Sequence, residues 1–217
     1  MFLFLLYKHG KIAICYFRRN SHSARRSFQV WPISMNFLGT TLALLFLATS
    51  LTAAEPLKSS IQPGEKITTI FEPLNINGEY AGEPHCLVCE NGASPVAMLF
   101  ARDLDEPLLK LLVRIDAATT KHQKQGMGSF VVFLSDAPEL PKKLEAAAKK
   151  HKFKHLVLST FEPAGPEGFE VAKDAAVTVV LYSEHVVRAN HAFRKGELTD
   201  QEIERVLGNV PKILDTK

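Results

Sequence analysis

Four apolar runs, the first three separated by amphipathic stretches of helix length, constrain this chain more than any other feature. Val96–Ala101 (VAMLFA) and residues 130–134 (FVVFL) contain no polar side chain, the pattern of strands buried on both faces. Residues 155–161 alternate enough for a third strand, and 177–182 (VTVVLY) give a fourth. After the first run, Leu108, Leu111, Leu112 and Ile115 recur at helical spacing, so one stripe of that segment is buried. Asp103 or Asp105 can cap its start, Pro107 fits the first turn, and Gly126 and Gly128 stop it. Leu140–His151 is a second helix, with Leu144, Ala147 and Ala148 on one face. Its neighbourhood is rich in lysine (Lys142, Lys143, Lys149, Lys150, Lys152, Lys154), most simply a solvated face.

The rest of the chain completes the pattern. A loop with Pro163, Gly165, Pro166 and Gly168 leads to the fourth run. Ser183-Glu184-His185 turns the chain tightly, and Val186–Phe193 returns as an antiparallel partner. Thr199-Asp200-Gln201-Glu202 has the capping-box form T-x-x-E. Ile203, Val206, Leu207, Val210 and Leu214 then define one C-terminal amphipathic helix. Upstream, residues 55–66 read as a linker. Residues 68–77, broken by Pro73 and followed by Gly78, read as an irregular hairpin, and 80–95 as loop or short edge strand.

Charge divides the chain. Residues 1–54 hold six basic side chains (Lys8, Lys11, Arg18, Arg19, Arg25, Arg26) and no Asp or Glu. With 26 basic and 23 acidic residues in all, the remainder is three charges negative, which gives no footprint for nucleic acid. Residues 35–54 (MNFLGTTLALLFLATSLTAA) have an apolar core of signal-peptide length that ends in small residues, so cleavage is expected after Ala54. An uncleaved anchor would need a longer apolar run. For residues 1–34 two readings stand. Either Met35 is the true start, or Arg25-Arg26-Ser27-Phe28 is a basic region resembling a twin-arginine export signal. In both, the domain leaves the cytosol and keeps no membrane span after cleavage. The expected organisation is a leader at 1–54, a linker at 55–66 and one domain at 67–217.

Cys15 falls in the leader, and the remainder keeps Cys86 and Cys89. At C-x-x-C spacing in an oxidising compartment they are expected to form a disulfide. Three roles fit them. The second thiol of a C-x-x-C can resolve a mixed disulfide made by the first, and His85 beside Cys86 favours its thiolate. The pair can instead be a permanent clip on a loose loop. It can also bind a metal with His85, but zinc wants four ligands and the sequence offers no second C-x-x-C or H-x-x-x-H. Neither a metal nor a cofactor is expected.

The element order (irregular hairpin, β-α-β-α-β, loop, β-hairpin, α) resembles the thioredoxin-like superfamily over roughly residues 66–214. Within it the likeness is to the redoxin branch of peroxiredoxin-like and periplasmic thiol-disulfide proteins, with 155–161 in the place of the redoxin extra strand. The resemblance implies an α/β fold with a central mixed sheet flanked by helices and an N-terminal hairpin. It also implies a reactive cysteine after the first central strand, where helix N–H groups favour a thiolate. That stretch here reads Arg102-Asp103-Leu104-Asp105-Glu106-Pro107, with no Cys, Ser or Thr. The three acidic residues are most simply helix-start charges. The cis-proline expected before the hairpin strand is replaced too, by Val177-Thr178, whose preceding peptide should be trans.

His85-Cys86-Leu87-Val88-Cys89 lies upstream of the first central strand, so the pair is expected at the opposite pole of the sheet, or along the edge made by the N-terminal hairpin. The leading expectation is an exported thiol-disulfide redox protein that exchanges with other thiol or disulfide proteins. Cys86 would attack and Cys89 would resolve. The alternative is a non-enzymatic binding or scaffold module stapled by a structural disulfide. Asn190-His191 in the last strand read as surface polar residues. Fold alone cannot choose between the two.

Overall fold

The computed structural model describes residues 56–214, together with two short strands near the N-terminus, β1 (Leu5–Lys8) and β2 (Lys11–Ile14). The chain divides into two units, Met1–Ala53 and Ala54–Lys217. In the first, β1 and β2 pair antiparallel, a hairpin not anticipated from the sequence. The signal peptide expected at 35–54 and its expected cleavage point lie outside the described residues.

The second unit is built on six strands. These are β3 (Leu74–Asn75), β4 (Val96–Ala101), β5 (Gly128–Leu134), β6 (Leu156–Phe161), β7 (Val177–Ser183) and β8 (Val186–Phe193). They lie in the order β3-β6-β5-β4-β7-β8. β4, β5 and β6 run parallel, and β7, β8 and β3 are antiparallel to their neighbours. The expected central mixed sheet is therefore the one found. Helix α2 (Glu106–Lys121) joins β4 to β5, and α3 (Leu140–His151) joins β5 to β6.

Both crossovers step the same way along the sheet. Crossovers between parallel strands share one hand, so two steps in one direction put both helices on one face. Ala97, Leu99 and Ala101 of β4 meet that layer with Leu108, Leu111, Leu112 and Leu144. The two alanines leave room for α2 to lie close to the sheet. Val96, Met98 and Phe100 point to the other face, which needs a different cover. The chain upstream of β4 supplies part of it (Ile67, Phe71, Leu87, Val88), and the loop after β6 supplies Phe169. Phe71, Phe100 and Phe169 meet there in tilted and edge-on pairs, with centroids 5.1–6.1 Å apart.

Local differences from expectation have identifiable causes. Residues 58–66, read as a linker, are docked. Ser59 is buried with its hydroxyl 2.7 Å from that of Thr178, and the Asn190 amide donates to the carbonyls of Ser59 and Ile61. The irregular hairpin survives as a two-residue strand, with Leu74 bridged to Pro84 and Gly82 N–H donating to Asn75 O. Asn77 extends the edge with its side chain, accepting from Leu158 N–H and donating to Leu156 O. The single C-terminal helix divides into α4 (Asp200–Leu207) and α5 (Pro211–Leu214). Pro211 disfavours helical backbone in the residue before it, so the helix stops and restarts. Half of the capping box forms. Thr199 accepts from Glu202 N–H, but the Glu202 carboxylate pairs with Arg205 instead of reaching back.

Candidate functional site

The segment 80–95, expected to be loop or edge strand, contains helix α1 (Leu87–Asn91). Cys86 caps it: its backbone is extended, and its sulfur accepts the N–H of Cys89 at 3.1 Å. Leu87 and Val88 turn inward to the apolar layer, which anchors one side of the turn. Asn91 Nδ2 donates to Leu87 O, and Gly92 ends the helix with φ at 51°. Cysteine is not among the usual capping residues, so the start signal was absent from the sequence. The stop signal, Gly92 after Asn91, was there to be read.

Cys86 and Cys89 are bonded as a disulfide, with Cα atoms 5.3 Å apart. Their surroundings differ sharply. Cys86 is 8% exposed and belongs to the apolar layer with Ile67, Tyr182 and Val187, whereas Cys89 is exposed. The His85 ring stacks on Tyr80 at 3.5 Å between centroids, and its Nε2 lies 3.1 Å from a Glu90 carboxylate oxygen. The ring is thus held across the start of the helix. Tyr80 and Glu90 are site residues that sequence reasoning did not single out.

The site lies at the N-terminal ends of the parallel strands. Gly128 N–H, at the start of β5, donates to Pro95 O, and Glu184 N–H, in the β7–β8 turn, donates to Ala93 O. A cleft of about 260 Å³ opens beside α1, lined by Leu87, Glu90, Asn91, Gly126, Gly128 and His155. Gly128 leaves room for the Asn91 side chain there: a Cβ on it would fall 1.8 Å from the Asn91 side-chain oxygen, which would have to move. The displaced position expected for the C-x-x-C is therefore where the pair sits.

At the opposite pole, where redoxins place their cysteine, the side chains are engaged in structure. Asp105 caps α2 by accepting from Leu108 N–H. Asp103 accepts from Leu104 N–H and from Lys143, and the Lys143 bond holds its carboxyl below the usual range. The Arg102 guanidinium donates to Pro163 O and Ala172 O, tying down the loop that carries Phe169. No cis peptide occurs among the described residues, so the peptide before Val177 is trans as expected. Asn190 holds the docked segment 59–61, as above. His191 is stacked near Phe193 and lies 3.1 Å from the Asn209 amide, and burial lowers its pKa. No group of three or more potential metal ligands occurs among the described residues.

No protein-family model and no curated protein matches the sequence. Solved structures do match. A candidate protein disulfide isomerase from Bacteroides thetaiotaomicron superposes with a TM-score of 0.54 at 14% identity, over 74% of this chain and 96% of that one. An uncharacterised conserved protein from Geobacillus kaustophilus gives 0.53 at 12%, over 73% and 86%. Peroxidoxin BcpB from Mycobacterium tuberculosis gives 0.51 at 13%, over 70% and 98%. The fold is thioredoxin-like. Within that fold this chain carries its disulfide at the pole opposite the usual site.

Proposed function

We propose that the domain works outside the cytosol and exchanges disulfides with the thiols of other proteins through Cys86 and Cys89. The observation that carries this reading is a disulfide with one of its two residues, Cys89, exposed to solvent. A disulfide that only clips a loop has no need of an exposed cysteine. Exchange also requires a two-cysteine unit in which one thiol can displace a partner from the other, and the three-residue spacing provides it. Thiol-based names among structurally similar proteins are consistent with this chemistry, although fold alone does not carry it.

The test is a redox titration of the purified protein in glutathione buffers. The pair is expected to interconvert with the buffer at about −200 mV, the poise of an oxidising compartment. A disulfide that stays closed until strongly reducing potentials would favour the second reading, a binding module with a structural clip. That reading draws on the packing of Cys86 into the apolar layer.

The export part rests on the apolar segment 35–54 and the small residues that end it. No helix among the described residues is long and apolar enough to cross a membrane. N-terminal sequencing of protein recovered from its native compartment is expected to begin at Glu55. Recovery with residues 1–34 intact would overturn both the cleavage point and the export.

A further inference from the structure

We propose that the order of the two cysteines is the reverse of the one His85 suggests: Cys89 is the sulfur that meets the partner, and Cys86 is the buried sulfur that leaves and returns. The proposal rests on the exchange reading above and adds which bond to the partner forms. Disulfide exchange is a displacement at sulfur, with the incoming thiolate, the attacked sulfur and the leaving sulfur in line. Cys89 is exposed on the outer side of α1. A thiolate approaching from solvent therefore reaches Cys89. Approach to Cys86 is closed by the layer that contains Ile67, Val88, Tyr182 and Val187.

The chemistry balances without any further reagent. A partner thiolate attacks Cys89 Sγ, the Cys86–Cys89 bond breaks, and its electron pair passes to Cys86 Sγ. A mixed disulfide between the partner and Cys89 remains. The partner's second thiol, losing its proton to solvent, attacks the partner sulfur of that bond and releases Cys89 as thiolate. The partner dithiol is oxidised and the pair is reduced. In the reverse direction Cys89 attacks a partner disulfide, and Cys86 displaces the partner from Cys89.

Two influences act on Cys86 as the leaving group. It is packed in the apolar layer, and the Cys89 N–H points at its sulfur. Access nevertheless decides the order, because only one of the two sulfurs can be reached. His85 then has a different part. Held between Tyr80 and Glu90, it is a positioning residue that fixes the start of α1.

The experiment uses the full chain carrying Cys15→Ser, so that only the pair reports. Single variants Cys86→Ser and Cys89→Ser are reacted with dithiodipyridine, a neutral aromatic disulfide that releases a coloured thione. Cys86→Ser, which keeps Cys89, is expected to react roughly tenfold or more faster than Cys89→Ser. A smaller ratio or the opposite order overturns the assignment. A second arm needs neither single variant. In the Cys15→Ser protein with both cysteines reduced, brief iodoacetamide labelling followed by peptide mapping is expected to find Cys89 alkylated first; Cys86 first would overturn the proposal. Failure of the exchange reading looks different. The intact pair would then not equilibrate with glutathione, whichever thiol is faster once free.

Discussion

Asp116→Ala is expected to destabilise the domain by about 3 kcal/mol, the cost of leaving buried donors without an acceptor. Asp116 lies on the buried side of α2, and its carboxylate accepts the backbone N–H groups of Lys154, His155 and Leu156. These three donors lead into β6, whose first residue is Leu156 and which lies between β5 and the two-residue strand β3. Water can reach the exposed Lys154 end, but Leu156 is fully buried. Alanine is the better helix former, which offsets the loss by only a few tenths of a kcal/mol. For a domain of this size the net loss corresponds to a fall in Tm of roughly 10 °C. Urea melting of Asp116→Ala and Asp116→Asn would check it. The Asn variant keeps one acceptor oxygen and should lose about half as much. A loss below about 1 kcal/mol for Ala would show that the carboxylate is not what holds the start of β6.

The double change Cys86→Ser, Cys89→Ser is expected to abolish thiol exchange while leaving a folded domain. The disulfide links residues three apart, so it closes a very small loop. The chain-entropy model gives such a loop about 2 kcal/mol, against about 3 kcal/mol for one of 15 residues. Serine at 86 keeps the cap on α1, because its oxygen can accept the Cys89 N–H that the sulfur now accepts. The fall in Tm should thus be several degrees. Circular dichroism would report the fold, and insulin reduction or oxidation of a dithiol peptide would report exchange. A double variant that does not fold would make the pair a structural element of the layer around Phe100 and Phe169. Retained exchange would place the chemistry elsewhere.

The strands were legible because apolar side chains must be buried at the period of the backbone that carries them. Val96–Ala101 admits no polar face, and the stripe through Leu108 and Ile115 admits only a helix. The missing cysteine after β4 was legible for the same reason, since element order fixes where that position falls. Helix α1 was not legible. It is five residues long and begins at a cysteine, and so short a helix is held by its contacts rather than by propensity. Tyr80 joined the site through stacking on His85, a contact that sequence spacing does not show. The docking of residues 58–66 depends on Asn190 and Thr178, more than a hundred residues away in the chain.

By itself, the sequence determined the thioredoxin-like order of elements, the vacancy at the usual reactive position, and the displacement of the C-x-x-C to the other pole. All three follow from local periodicity and from the single hand of parallel crossovers. Only the tertiary structure decided which cysteine faces solvent. The two residues are three apart, and the one local signal, His85 beside Cys86, says nothing of which of them is buried. The difference arises because successive crossovers place α2 and α3 on one face and leave the other to be covered by the chain upstream of β4. That cover draws Leu87 and Val88 inward, takes Cys86 into the apolar layer with them, and turns Cys89 out.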